Sequence, residues 1–413
     1  MKPTPQASIG IPKPAAERLR LLTAVAVAVA LLCAPTVAVA QPRPTDQVGE
    51  SSAAKQRIPL VALPDVSMRA GMLVDSNGRV LWARSANAKR SMASITKIMT
   101  AVVALEDNGG KLDRTVVVPA IALSAGESTA ELKAGDKVTI RRLLEDTLVK
   151  SGNDAATALA ITTSGSEKAF VARMNAKAKE LGLTRTSFKN PHGLDQSGHY
   201  TSARDIEVLA RHAMRSPEFR RIVKMKYVRI GKTNRRVHNS NLLIGSYTGA
   251  NGVKTGWTDG AGYSVVASAD RSGTELLAVV LGTRSETARF AEARNLLDWG
   301  FAHYRRQQLA TKGTVVAKPP VRDYLDVAVP VATSQDASAS VIDVQGPIER
   351  TVSVESSLAA PVTAGDRVGS VIFTQRGRTV ATVPVVATES VRAPTLLERV
   401  GIRLARVWRG MFG

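Results

Sequence analysis

Cysteine, aromatic residues and acidic residues are all scarce in this chain. A single cysteine, Cys33, stands in 413 residues, close to the N-terminus. The chain beyond residue 40 therefore has no disulfide and no thiolate metal ligand, and its stability rests on its core. Aromatic residues make up 4% of the chain, so Ala, Val and Leu must fill most of the interior. Asp and Glu number 35 against 56 Lys and Arg, a formal charge of +21. The first forty residues carry +3 of this, Lys2, Lys13, Arg18 and Arg20 against Glu17, which leaves +18 on the rest. Such a balance favours an anionic partner: nucleic acid, acidic lipid or a wall polymer. Five scattered histidines offer no HExxH or comparable zinc spacing, and no G-x-S-x-G elbow is present. No metal and no cofactor is expected.

What is present begins with an address. Lys13, Arg18 and Arg20 precede an apolar run from Leu21 to Leu32, followed by Pro35 and the small-residue site Ala38-Val39-Ala40. That order reads as a secretory signal peptide over 1–40, removed before Gln41. An uncleaved membrane helix is the alternative, since the apolar stretch approaches the ~20 residues a span requires. Leu32 before Cys33 is too large for a lipoprotein cleavage site. Export directs the expectation away from nucleic acid and towards a wall or lipid surface.

The chain divides by composition. Residues 41–66, rich in Pro, Ser, Ala and Gln, read as a flexible linker. Gly71–Asp75 and Arg79–Ala83 flank Ser76-Asn77-Gly78 as a hairpin. Helical spacing follows over Ser94–Leu105, Ile140–Lys150, Asn153–Thr163, Glu167–Leu181 and Ser202–Met214. Strands return at Tyr263–Ala269 and Glu275–Leu281, and a last helix runs over Glu286–Tyr304. Residues 67–306 thus read as one α/β (α+β) domain, an antiparallel sheet closed by distant parts of the chain around a helical insert. Residues 307–390 read as a small all-β domain with strands at Val352–Val354, Val368–Thr374 and Val380–Val386. Over 391–413, Leu396, Leu397, Val400, Leu404, Val407, Trp408, Met411 and Phe412 share one helical face, and Arg399, Arg403, Arg406 and Arg409 share another. That helix is expected to lie on an anionic membrane surface, being too charged to span it. Docking on the β domain is the plainer alternative.

Three motifs carry chemistry. In Ser94-Ile95-Thr96-Lys97 one helical turn brings an amine beside a hydroxyl. Alone this pattern is weak and fits an ordinary capped helix start. Ser151-Gly152-Asn153 lies between two helices, where its side chains can enter a cleft. Lys254-Thr255-Gly256 lies just before the Tyr263 strand or at the end of an earlier one. All three in this order make coincidence a poor explanation. His192 and His199, with Asp195 and Asp205 near them in sequence, raise a Ser-His-Asp alternative, but His192 is better explained as part of a structural turn.

In these motifs the chain resembles the D-alanyl-D-alanine carboxypeptidase family, the low-molecular-mass penicillin-binding proteins. The resemblance extends to Met174-Asn175, Asn190-Pro-His-Gly-Leu-Asp195, Asp259-Gly-Ala-Gly-Tyr263, Leu296-Leu-Asp-Trp-Gly-Phe301, and in the β domain to Leu358-Ala-Ala-Pro361 and Arg367-Val-Gly-Ser370. It implies a periplasmic enzyme, held at the cytoplasmic membrane by its last helix, that removes the terminal D-alanine from peptidoglycan stem pentapeptides. β-Lactam antibiotics would be its covalent inhibitors. Ser94 would be the nucleophile, Lys97 its base and Ser151 the proton relay. Asn153, Lys254, Thr255 and Gly256 would bind substrate, and the backbone amides of Ser94 and Trp257 would form an oxyanion hole. Arg284, in Gly282-Thr-Arg-Ser285, is the expected second contact to the substrate carboxylate. Trp257 departs from the family, which often has a hydroxyl-bearing residue or His after Lys-Thr-Gly. A DD-endopeptidase, a β-lactamase and a non-catalytic wall-binding protein remain alternatives. The β-lactamase reading lacks its Glu-x-x-Leu-Asn segment, since Glu167 is followed by Lys-Ala-Phe-Val.

Overall fold

The structure, a computed structural model, describes residues 42–412. The signal-peptide expectation and Cys33 lie outside them.

In chain order the strands are β1 (Gln47–Val48), β2 (Ser51–Ser52), β3 (Ala70–Asp75), β4 (Val80–Arg84), β5 (Thr115–Val117), β6 (Lys137–Thr139), β7 (Tyr227–Ile230), β8 (Arg235–His238), β9 (Ala250–Thr258), β10 (Gly262–Arg271) and β11 (Thr274–Thr283). The helices are α1 (Lys97–Asp107), α2 (Ile140–Glu145), α3 (Asn153–Ser164), α4 (Glu167–Glu180), α5 (Ala203–Ala213), α6 (Pro217–Val223) and α7 (Glu286–His303). A seven-stranded antiparallel sheet runs β2-β1-β4-β3-β11-β10-β9. Alternation along β11 explains why both of its faces are covered. Leu277, Val279 and Leu281 point into a core shared with the helical insert, and Leu276, Ala278 and Val280 into a second core against α7. Short polar caps start four of the insert helices and α7: the hydroxyls of Thr139, Ser166, Ser202, Ser216 and Ser285 each accept a backbone N–H from the first turn.

Residues 42–66 correct the expectation of a flexible linker. β1 pairs with β4 at Val48 and Trp82. Asp46 forms a buried ion pair with Arg84 at 2.6 Å, and Ala53, Ile58, Leu63 and Val66 are buried in the α7-side core. Its apolar residues are too widely spaced to give a period, yet each reaches the same surface, so composition alone misreads it.

Beyond α7 come β12 (Tyr304–Ala310), β13 (Val315–Ala317), β14 (Val331–Thr333), β15 (Ala337–Ile342), β16 (Glu349–Val354), β17 (Arg367–Gln375) and β18 (Arg378–Ala387). They form a five-stranded sheet, β13-β14-β18-β17-β16, and a β12-β15 pair around their own core of Val329, Val331, Val371, Phe373, Val383 and Val385. Helix α8 (Leu396–Phe412) ends the described chain.

Candidate active site

Four elements meet at one cleft. A 3-10 turn, Ala93–Thr96, leads into α1 and carries Ser94, which is half-buried at the cleft wall. Ala93 before it adopts φ of +48°, and Ser151 in the opposite wall +71°, both in the left-handed region that non-glycine residues avoid. Two such residues flanking one cleft mark backbone held in place by its surroundings. Helix α2 does not continue to Lys150 as the sequence pattern suggested: Asp146–Lys150 form a π turn, and Ser151 ends it. That turn lifts Ser151 clear of the helix and lets α3 begin at Asn153. Lys254-Thr255-Gly256 lies within the edge strand β9, paired with β10 through Lys254–Val266, Thr255–Val265 and Gly256–Ser264. A cavity of about 380 Å³ is lined by Ser94, Ser151, Asn153, Thr255, Gly256 and Trp257, with Glu127, Ser128, Lys150, Gly193, Leu194, Ser240, Thr258 and Arg289 completing it.

Lys97 is fully buried on α1. Its ammonium donates to Ser94 Oγ at 2.7 Å, Asn153 Oδ1 at 2.7 Å and the His192 carbonyl at 2.8 Å. Burial pulls its pKa down to about 7, against the opposing pull of Asp154 and Glu127. Across the cleft, buried Lys254 donates to Ser151 Oγ at 2.8 Å and to the Thr255 carbonyl at 3.1 Å. Its pKa is also driven far down, by burial first and then by the like charges of Lys97 and Arg289. Thr255 donates to Ser240 Oγ at 2.9 Å. Asn153 Nδ2 donates to the Gly126 carbonyl at 3.1 Å, so both ends of its amide are fixed. The result is two hydroxyl–amine pairs facing each other across one pocket.

The structure places Ser94, Lys97, Ser151, Asn153, Lys254, Thr255, Gly256 and Trp257 at the cleft and leaves Arg284 outside its lining. That side chain is exposed at the end of β11 and does not line the pocket. The guanidinium there belongs to Arg289, on α7, five residues later. Arg289 is buried, pairs with Glu286, approaches the Gly256 carbonyl at 3.5 Å and keeps its Nε without a partner. A cation among the apolar positions of α7, beside Phe290 and Ala293, was the signal in the sequence that could have found it. Trp257 is 47% exposed, tilted against Tyr263 with ring centres 5.8 Å apart, and the Arg289 guanidinium lies 5.6 Å from the same Tyr263 ring.

The histidines take no part in activating Ser94. His199 accepts from Lys189 N at Nδ1, 2.9 Å, so its Nε2 donates to Thr96 Oγ1 at 2.8 Å. His192 accepts from Leu194 N and offers Lys97 only its backbone carbonyl. Burial keeps both rings neutral, with pKa values of about 3 for His192 and about 4 for His199. Among the described residues no group of His, Cys, Asp and Glu could hold a metal ion.

Comparison with known proteins gives the family. The D-alanyl-D-alanine carboxypeptidase family profile matches residues 57–285, and the profile of the penicillin-binding protein 5 C-terminal domain matches 304–393. The chain is 34% identical to the D-alanyl-D-alanine carboxypeptidase DacF of Bacillus subtilis, over 76% of this chain and 83% of that one. It is also 34% identical to DacC of Escherichia coli, over 82% and 88% respectively. The crystal structure of the carboxypeptidase DacD from Francisella tularensis superposes with a TM-score of 0.61 and 27% identity, covering 80% of this chain and 94% of that one. With its motifs assembled in one cleft and both domains matched, the chain belongs to the D-alanyl-D-alanine carboxypeptidase family.

Proposed function

We propose that this protein is a serine D-alanyl-D-alanine carboxypeptidase that removes the terminal D-alanine from peptidoglycan stem pentapeptides. The observation that carries the reading is the fully buried Lys97 amine 2.7 Å from Ser94 Oγ, facing the Ser151–Lys254 pair across one pocket. A serine hydroxyl becomes a nucleophile when a base takes its proton, and a desolvated amine with a pKa near 7 is neutral often enough to do so. Ser94 Oγ attacks the carbonyl of the penultimate D-alanine as its proton passes to Lys97. The backbone amides of Ser94 and Trp257 stabilise the negative charge that develops on the carbonyl oxygen. Ser151, backed by Lys254, hands a proton to the departing amine, and D-alanine leaves. Hydrolysis repeats the sequence with water as the attacking group, freeing Ser94.

Thr255 and the buried Arg289 receive the substrate's terminal carboxylate, and Asn153 holds the acyl-chain amide. Arg289 suits this task because its Nε is unpartnered and a buried cation without full compensation favours an anionic ligand. β-Lactams acylate Ser94 in the same geometry and form a long-lived acyl-enzyme. Export, with the mature chain beginning at Gln41, places the enzyme on the outer side of the cytoplasmic membrane, and α8 holds it there.

The test is D-alanine release from a pentapeptide ending in D-Ala-D-Ala. Release by the full chain that is lost in Ser94→Ala supports the reading. A folded wild type that cleaves only cross-linked dimers points to an endopeptidase, and one that cleaves neither points to a wall-binding protein. Rapid turnover of benzylpenicillin would overturn the long-lived acyl-enzyme.

A further inference from the structure

Residues 224–238 hold Lys224, Lys226, Arg229, Lys232, Arg235 and Arg236 without one acidic residue. All six cations are exposed. They lie on and beside the β7–β8 hairpin, whose register sets Val228 opposite Val237 and Arg229 opposite Arg236. Val228 and Ile230 are buried and anchor one face to the core, which leaves the two arginines facing each other on the solvent face. Like charges directly opposite one another destabilise a strand pair. Counterions are few: Lys232 pairs with Asp136 at 3.1 Å and Arg235 with Glu131, and the other four have no carboxylate partner among the described residues. Lys232 also shares a recess of about 440 Å³ with Lys137 and Arg142 of the neighbouring elements β6 and α2.

This cationic ridge lies beside the catalytic cleft. Two residues beyond β8, Ser240 lines the cleft and receives the Thr255 hydroxyl. At the hairpin's other end Gly231 N donates to the Ala130 carbonyl at 3.2 Å, in the loop whose Glu127 and Ser128 also line the cleft. Anything bound along the ridge is therefore next to whatever peptide occupies the pocket. We infer that the β7–β8 hairpin is a docking surface for the carboxylate-bearing peptidoglycan polymer, gripping stem peptides next to the one being cleaved. The polymer's identity rests on the carboxypeptidase reading above; the anionic character of the ligand does not. Each uncleaved stem carries at least its terminal carboxylate, and two linked contacts, cleft and ridge, raise retention on a polymer beyond what a single free peptide gains. Several exposed ion pairs in parallel also make the grip sensitive to salt.

The experiment compares the full chain with a Lys224→Gln/Arg229→Gln/Arg236→Gln variant. Both are also prepared with Ser94→Ala, and cosedimentation with insoluble peptidoglycan is measured at low and high salt. The variant is expected to bind about tenfold more weakly at low salt, each exposed charge contact contributing roughly two- to threefold. It should also lose most of the salt dependence and bind no better than wild type does to peptidoglycan whose carboxylates have been amidated. Its kcat/KM should fall at least fivefold more on the polymer than on soluble pentapeptide, a ratio that misfolding would not produce. Equal cosedimentation of variant and wild type, or wild-type binding indifferent to amidation, overturns the inference; so does salt-sensitive binding to anionic vesicles alone. Cosedimentation of the Ser94→Ala proteins reports on the ridge even if the wild type released no D-alanine.

Discussion

Lys97 and Lys254 bury two amines in a single pocket, and the cost of charging both governs how the site responds to pH. With its pKa near 7, Lys97 sheds its proton as pH rises through that value, and only the neutral amine can accept the Ser94 proton. The expected kcat/KM for a pentapeptide therefore rises with pH through about 7 and levels off above it. A flat profile from pH 6 to 9, measured in the same assay, would exclude Lys97 as the base. Lys97→Arg, whose guanidinium stays protonated, is expected to lower kcat/KM by at least a thousandfold while the thermal transition remains cooperative. At the other end of the cleft, Arg289→Gln removes a charged contact worth ~1.5–3 kcal/mol, so KM should rise about tenfold to a hundredfold. Arg284→Gln should leave both kinetic constants at wild-type values. The contrast shows what motifs convey at this scale. Ser94 and Lys97 were legible because their three-residue spacing encodes a contact, and Ser151, Asn153 and Lys254 because they stand in motifs of the family the chain resembles, whereas Arg289 reaches the cleft only through the packing of α7 against β10 and β11.

Elements were legible where apolar residues at helical spacing or a capping residue mark them and obscure where tertiary contacts replace such signals. Helices α3, α4, α5 and α7 lie within a residue or two of the sequence expectation; Ser166, Ser202 and Ser285 cap the last three, while α3 starts after Gly152 without a side-chain cap. The π turn at Asp146–Lys150 was not legible, because Asp146, Thr147 and Leu148 continue a helical pattern until the chain must release Ser151. Strand β9 was foreseen only as one of two placements for Lys254-Thr255-Gly256, because Gly252 and Gly256 interrupt its apolar run, and β7–β8 was missed because arginines mask the two residues that face the core. The loop before α2 depends on Asp154, one residue past the Ser-Gly-Asn motif. Its carboxylate accepts from Ala130 N at 2.8 and 3.0 Å and from Leu132 N at 3.2 Å, pinning the loop that brings Glu127 and Ser128 to the cleft. Asp154→Ala removes the acceptor of three buried backbone donors, those of Ala130, Leu132 and Ala155, and is expected to cost about 2–4 kcal/mol of stability. Urea denaturation measures that loss, and limited proteolysis should show new cleavage near residues 126–132. A variant as stable and as protease-resistant as wild type would show that the loop is held by other contacts.

At the scale of the whole molecule, the β domain is fastened to the catalytic domain by polar contacts that no motif announced. Tyr304 donates to Asp75 at 2.6 Å, Arg79 to the Ser340 carbonyl, Gln345 to Gln56 at 2.9 Å and Arg376 to the Gln56 carbonyl. Two of these four fasten onto Gln56, in the segment whose composition suggested a linker. Helix α8 follows the same domain, and its orientation refines the sequence expectation. Arg406 donates to the carbonyls of Arg322 and Tyr324, and Arg409 pairs with Asp326 at 2.9 Å, so part of the basic face is held by the β domain. Leu396, Leu397, Val400, Leu404, Val407, Trp408 and Met411 are left exposed along the opposite face. A row of seven large apolar side chains turned to water is stabilised by transfer into a lipid interface, and among the described residues no helix is long and apolar enough to cross a membrane. Deleting residues 394–413 is therefore expected to move the enzyme from the membrane to the soluble fraction while kcat/KM on a soluble pentapeptide is preserved. Leu397→Asp with Trp408→Asp should do the same with the helix still present, which separates loss of the apolar face from loss of the segment. Unchanged membrane recovery of both proteins would show that the arginine contacts merely park α8 on the β domain, and that some other part of the chain meets the membrane.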